Sequence, residues 1–340
     1  MLVGARGERA CWLAWVCAAV AMTNVACSGA VIVMDVPSAI DAIDAQGVED
    51  AGDDLADEVQ GTDVVDVPRA ESGGLVSVRP YRSQVPTRYN PATPTPLIIL
   101  LHGYGASGAL QDIYFGLGRV ARDRGFLFAN PDGTTNAAGQ RFWNATNACC
   151  DFALTGVDDV AYINAIIDDM SARYNVDPRR IYLVGHSNGG FMSHRMACDA
   201  SNRIAAIVSV AGAMWSDMSR CQPTSPVSVL QVHGTLDAVI AYNGGMQILA
   251  MPGMRTYPSA RASVDTWARL NRCGPLTATT ERIDLDIGLF GSETRVDRAT
   301  GCAGGAAELW SIEGGSHIPG FGPEWPGLIC DWLSAHPRAM

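Results

Sequence analysis

The sequence is poor in the features that would open the commonest alternative readings. No uninterrupted apolar stretch reaches the roughly 20 residues that a membrane-spanning helix needs; residues 11–22 fall short. Neither Cys-x-x-Cys nor His-x-x-x-His occurs, so the ligand spacings of a zinc site are missing. Residues 31–74 contain no aromatic side chain, and over 35–71 a single basic residue, Arg69, stands against twelve acidic ones. Such a stretch cannot bury enough apolar surface to offset its ordering entropy, so a disordered linker is expected. A repeated Asp-Val-Pro, at Asp35 and Asp66, adds to its low complexity. The net charge of −11 resides there: elsewhere 23 basic residues balance 23 acidic ones. The remainder therefore carries no cationic excess of the kind a nucleic-acid surface requires.

What is present begins with an expected export signal. Arg6 and Arg9 precede the apolar run at 11–22, a length suited to a signal core. Asn24-Val25-Ala26-Cys27-Ser28-Gly29 follows, and a small residue before cysteine resembles a bacterial lipoprotein cleavage site with Cys27 as the lipidated residue. Asn24 stands where that pattern prefers leucine, so ordinary cleavage near Ala26 is the other reading. The expected organisation is a signal over 1–27, an acidic tether over 28–74 and one folded body over 75–340, a length that suits a single large α/β domain. The body holds seven cysteines. In an exported protein several are expected as disulfides, and proximity suggests Cys198–Cys221 and Cys273–Cys302. Cys149, Cys150 and Cys330 have no assigned partner.

Extended segments are expected at 75–85, 97–101, 126–129, 181–184, 204–210, 227–232 and 309–312. Helices are expected at 109–124, 157–174, 188–199, 259–271 and 326–335. Continuously apolar runs such as Leu97-Ile98-Ile99-Leu100-Leu101 suit parallel strands covered on both faces. Residues 75–85 alternate more and read as an antiparallel edge hairpin. The alternation predicts an α/β fold with a doubly wound, mostly parallel sheet and helices on both faces.

Ligands of such sheets sit beyond the carboxyl ends of the strands. After the run Ile181-Tyr182-Leu183-Val184 comes Gly185-His186-Ser187-Asn188-Gly189, a Gly-x-Ser-x-Gly between strand and helix. The glycines leave room for a sharp turn that lifts the Ser187 hydroxyl out of the sheet, beside the positive end of a helix. Later strands end in His233-Gly234-Thr235-Leu236-Asp237 and Gly314-Gly315-Ser316-His317. Nucleophile, acid, histidine is the chain order of the α/β-hydrolases. Ser187 would attack, His317 would carry its proton, and Asp237 would orient the imidazole. The N–H groups of Asn188 and Tyr104 are the candidate oxyanion donors. His102, Trp143 and Trp215 are candidate substrate contacts. His102 also reads as a hydrogen-bonded positioning residue, and the tryptophans also as packing. Asp158 and Asp159 read as helix caps. His186, His194, His233 and His336 read as structural or solvated.

Gly103-Tyr104-Gly105-Ala106-Ser107-Gly108 also satisfies Gly-x-Gly-x-x-Gly between a strand and a helix, with Asp132 near the next strand end. A nucleotide-cofactor oxidoreductase is therefore the alternative. Against it stand His102, where an apolar residue is usual, and three loops left without a purpose. A surface binding protein with a silent hydrolase fold is the non-enzymatic alternative.

The body, from about Tyr81 to Leu333, resembles the esterase/polyhydroxybutyrate depolymerase family, which includes feruloyl and acetylxylan esterases. The resemblance rests on Leu101-His102-Gly103, Pro131-Asp132-Gly133, Phe142-Trp143-Asn144, Val157-Asp158-Asp159-Val160 and the three motifs carrying Ser187, Asp237 and His317. It implies a secreted serine esterase that needs no cofactor or metal and acts on plant cell-wall esters or short polyesters, with those three residues as the triad. The expected partner is an ester substrate, with no nucleic acid, possible membrane attachment through Cys27, and a monomeric state. Two departures stand out. Ile318-Pro319-Gly320 follows His317 where many members have Thr-Trp-Pro-Gly, and Tyr104 stands where polymer depolymerases often carry cysteine. Both weaken polyhydroxybutyrate as the substrate.

Overall fold

Continuous apolar runs can be buried on both faces only inside a sheet, and that is where they lie. The computed structural model describes residues 74–246 and 255–339. The expected signal, Cys27 and the acidic tether fall outside the described residues. In chain order the elements are α1 (Leu75–Val78), β1 (Ser83–Gln84), β2 (Thr95–Leu101), α2 (Gly108–Phe115), α3 (Leu117–Asp123), β3 (Leu127–Ala129), β4 (Thr134–Thr135) and β5 (Arg141–Phe142). There follow α4 (Asp159–Arg173), β6 (Val176–His186), α5 (Asn188–Asp199), β7 (Ala206–Val210), β8 (Ser228–Gly234), β9 (Gly245–Met246) and β10 (Thr256–Tyr257). The last are α6 (Ala260–Leu270), β11 (Leu276–Ile283), β12 (Thr294–Ala299), β13 (Ala307–Ile312) and α7 (Trp325–Ser334).

Among the described residues, nine strands form one sheet in the order β1-β3-β2-β6-β7-β8-β13-β12-β11. The run from β3 to β13 is parallel, and β1, β12 and β11 add antiparallel edges. Side chains of successive strand residues point to opposite faces. Leu97, Ile99 and Leu101 accordingly join one core with Leu183, Ile207, Val229 and the inner faces of α4, α5 and α6. Ile98 and Leu100 join the other with Val184, Val208, Leu230 and residues of α3 and α7. No described helix is long and apolar enough to cross a membrane.

Three expectations are corrected. Residues 75–85 are not a hairpin. Arg79 is drawn onto α4, bonding Asp159 at 2.8 Å and lying 3.6 Å over the Tyr162 ring, and the preceding turn closes into α1. The helix expected over 109–124 is two, broken at Gly116, whose φ of 62° caps α2. The strands β11 and β12 were not anticipated, because Thr, Glu and Arg occupy their solvent side and interrupt any apolar run. The disulfides Cys198–Cys221 and Cys273–Cys302 are present as expected. Cys149 and Cys150 are joined to each other, and Cys330 is a buried free thiol.

Leu100 is fully buried, whereas Ile113 on α2 is 79% exposed. Leu100→Ala is expected to lower the unfolding free energy by about 2–5 kcal/mol. Ile113→Ala should stay within about 0.5 kcal/mol. Urea denaturation followed by tryptophan fluorescence checks both.

Candidate active site

The carboxyl ends of β6, β8 and β13 carry Ser187, Asp237 and His317 on neighbouring loops. Ser187 has φ 53° and ψ −116°, a left-handed conformation unusual for a side chain with a Cβ. The strain is sustained by close contacts around it. A Cβ on Gly185 would strike the carbonyl of Gly189, and one on Gly189 would strike the carbonyl of Leu101. Only glycine at both places lets strand and helix approach this closely. The Ser187 N–H donates to the Val210 carbonyl at 2.7 Å, tying the turn to β7. Serine at a helix start usually caps the helix with its hydroxyl. Here the side chain makes no cap. It lies 3.0 Å from His317 Nε2 instead.

His317 Nδ1 lies 2.7 Å from Asp237 Oδ2. The other oxygen of Asp237 accepts the backbone N–H groups of Val239 and Ile240, each at 2.8 Å. His233 Nε2 stands 3.2 Å from Oδ2. Burial alone would raise the Asp237 pKa, but hydrogen bonds from His233 and His317 outweigh it and hold the carboxyl well below its usual range. The carboxylate therefore stays ionised and is the charge that can steady an imidazolium at His317. The acid and histidine loops are also joined through their backbones. Thr235 N–H donates to Ile312 O and Leu236 N–H to Gly315 O, and Gly314 N–H donates to Thr235 Oγ1, all at 2.9 Å. His186, whose Nε2 lies 2.9 Å from the His317 carbonyl, steadies the histidine from below.

Two backbone N–H groups lie close to Ser187 in the chain or through packing: Asn188 follows it directly, and Tyr104 follows Gly103, which packs against it. Those of Tyr104 and Asn188 have no hydrogen-bond partner among the described residues. His102 sets the direction of the first. Its Nδ1 lies 2.7 Å from Gly103 O, and its Nε2 accepts the Gly133 N–H at 2.8 Å, so Nδ1 carries the proton. The Gly103 carbonyl and the Tyr104 N–H belong to one planar peptide unit, so fixing one orients the other. Burial lowers the His102 pKa to about 4 and keeps the ring neutral. The Asn188 side chain clamps the opposite wall. It accepts from Trp143 N at 2.7 Å and donates to Trp143 O at 2.9 Å. Asp158 caps α4 through Ala161 N–H, whereas Asp159 bonds Arg79 and the Asn144 N–H.

The expected substrate contacts are corrected. His102 and Trp143 are fully buried and act as internal supports; the Trp143 indole donates to His102 O at 3.1 Å. Trp215 is 7% exposed and lies under Arg220, 4.9 Å away. It lines a cavity of about 540 Å³ with Asn144, Arg195 and Arg255, and Ser187, Asp237 and His317 are not among that cavity's walls. Most backbone N–H groups of the Gly103–Gly108 segment are bonded internally: Gly103 to Gln111, Gly105 to the Arg141 carbonyl and Ala106 to the Gly103 carbonyl. Two of the three N–H groups opening α2 are already taken, Gly108 by Asp132 at 2.8 Å and Leu110 by Ser107 at 3.2 Å. Gly103 packs instead against Ser187. Sequence reasoning missed the Asn188 side chain and His233. His233 lies in the same motif as Asp237, which was the available signal.

Residues 96–237 match a family described as the alpha/beta hydrolase fold. The chain is 30% identical over 231 residues to feruloyl esterase B of Piromyces equi, a match that takes in 67% of this chain and 40% of that relative. Against feruloyl esterase D of Neurospora crassa the identity is 28% over 255 residues, covering 71% of this chain and 74% of the relative. The chain thus spans well under two thirds of the first of these curated relatives. The crystal structure of an acetyl xylan esterase from Aspergillus awamori superposes with a TM-score of 0.51 at 14% identity, over 74% of this chain and 92% of the other, a likeness of fold. Sequence and backbone lead to the same place: the chain has the α/β-hydrolase fold, and it is similar in sequence to proteins named feruloyl esterase.

Proposed function

We propose that this protein is a serine carboxylic ester hydrolase working through a covalent acyl-enzyme. The observation that carries the reading is the bonded series Ser187–His317–Asp237 beside two unpartnered N–H donors. His317 Nε2 takes the Ser187 proton as Oγ bonds to the ester carbonyl carbon. The tetrahedral oxyanion is held by the Tyr104 and Asn188 N–H groups. The C–O bond to the alcohol then breaks, and His317 passes its proton to the departing oxygen. A water molecule repeats the sequence on the acyl-serine and releases the acid, with Ser187 reprotonated. Asp237, ionised throughout, steadies the imidazolium in both halves.

Feruloyl or acetyl esters of plant cell-wall xylan are the first substrate class, supported by the names of the relatives, and short polyesters the second. Export, and attachment to a membrane through a lipidated Cys27, belong to the same reading and rest on the sequence alone, as does a monomeric state.

With p-nitrophenyl acetate the wild type should turn over, and Ser187→Ala should lose on the order of 10⁴- to 10⁶-fold in kcat. Equal rates from both proteins would instead favour a silent binding protein. Methyl ferulate, acetylated xylan and hydroxybutyrate oligomers, assayed side by side, rank the substrate classes. His102→Ala frees the Gly103–Tyr104 peptide and should lower kcat about 10²-fold with little change in KM, because the donor it orients acts on the transition state. Palmitate labelling in a bacterial host should mark the full-length wild type and not Cys27→Ser; an unlabelled wild type favours simple secretion.

A further inference from the structure

Four residues outside the triad form one buried series of hydrogen bonds that ends on Asp237. Trp267 on α6 donates its indole N–H to His194 Nδ1 on α5, at 3.0 Å. His194 Nε2 lies 3.0 Å from Gln231 Oε1 on β8. Gln231 Nε2 lies 3.2 Å from His233 Nδ1 and donates to the Gly212 carbonyl at 2.9 Å. His233 Nε2 lies 2.8 Å from the Ile240 carbonyl and 3.2 Å from Asp237 Oδ2. Trp267, His194, Gln231 and His233 are all at most 1% exposed.

The direction of the series is fixed at three independent places. An indole N–H only donates, so His194 Nδ1 must accept and its proton sits on Nε2. The Gly212 carbonyl only accepts, so the Gln231 amide nitrogen faces it and Oε1 faces His194. The Ile240 carbonyl only accepts, so His233 carries its proton on Nε2 and accepts from Gln231 at Nδ1. All three agree, and the one N–H of His233 points to the Ile240 carbonyl at 2.8 Å and is shared with the oxygen of Asp237 that His317 uses, 3.2 Å away. Burial lowers the His194 pKa to about 4, consistent with a neutral link.

We propose that His233, held in one tautomer by Gln231, His194 and Trp267, is a positioning residue of the triad that supplies Asp237 with a fourth donor and thereby sets how strongly Asp237 holds protonated His317. The inference rests on the esterase reading for its kinetic arm alone. A donor shared on Oδ2 withdraws negative charge from the bond to His317. Without it the carboxylate attracts the imidazolium more strongly, and the protonated form of His317 is favoured. The other titratable groups facing the cluster are His186, Tyr242 and Tyr257. The His186 ring is 5.1 Å from His317, and burial lowers its pKa to about 4. Tyr242 stands edge-on to His233 at 5.7 Å, with its hydroxyl bonded to Ser311. Tyr257 accepts the Ala241 N–H and is pushed up by burial.

The test uses His233→Phe, which keeps a ring of similar shape and removes the donor. The acid limb of its kcat/KM profile should move to higher pH by roughly 0.5–1 unit, the worth of one such bond. Its kcat should fall about tenfold with KM nearly unchanged. His233→Gln, whose amide can accept from Gln231 and donate toward Asp237, should restore the limb toward wild type. Proton NMR of the low-field His317 Nδ1–H provides a readout without turnover: the resonance should shift in His233→Phe. Trp267→Phe should shift it in the same direction by less, and it decides the matter where His233→Phe does not fold. A folded variant with both limb and resonance unmoved overturns the inference. An inactive wild type overturns the esterase reading, and the resonance then judges this inference by itself.

Discussion

The backbone of Ser187 sits where an ordinary side chain rarely goes, and the rest of the site is built on keeping it there. Gly185, Gly189 and the Leu101 carbonyl meet at distances that no Cβ would tolerate. That contact sets the angle between β6 and α5 and hence the direction of the serine hydroxyl. The same approach brings Gly103 against Ser187, so the segment after β2 packs beside the turn. Ser187 and the proposed oxyanion donors are thus placed by one packing event. The strain costs on the order of 1–3 kcal/mol and persists because strand, helix and the Val210 carbonyl leave the turn no alternative.

Around this turn the molecule uses neutral polar groups as its framework and concentrates charge at one atom pair. His102, His186 and His194 are buried rings with pKa values lowered to about 4, each bonded at both or one of its nitrogens to fixed partners. A neutral imidazole can be buried at modest cost when its nitrogens are satisfied, whereas an imidazolium would need a counter-ion. The Asp237 carboxylate, by contrast, accepts from Val239, Ile240 and His317, with His233 Nε2 3.2 Å away. Negative charge is therefore concentrated at the carboxylate oxygen that His317 faces.

The parallel sheet and the order of its edge loops were legible because each depends on local signals. Ile181-Tyr182-Leu183-Val184 reads as a buried strand, and Gly-x-Ser-x-Gly reads as the turn after it. The helix expected at 188–199 has those bounds in the structure. What escaped depends on partners distant in the chain. Arg79 makes α1 by reaching α4, and Gly116 divides a helix whose pattern runs through it. The β11–β12 pair faces solvent on one side, so its residues show no apolar run. Histidines 194 and 233 look alike in sequence to any structural histidine; only the fold brings Trp267 and Gln231 against them. His102 and Trp143 were placed on the right loops, but burial makes them supports.

The backbone bonds that knit the segment after β8 to the segment after β13 bear on how the cleft can be altered. Acid and histidine ride on a single rigid rim, so lengthening either segment displaces both residues together. The turn at 136–140 is closed by its own Asn136 side chain and is tied in the same way to the segment after β2, through the Tyr104 hydroxyl at 2.9 Å and the Gly105 N–H on the Arg141 carbonyl at 2.8 Å. A chain inserted at any of these places would have to break hydrogen bonds on both sides of the cleft before it could reshape it.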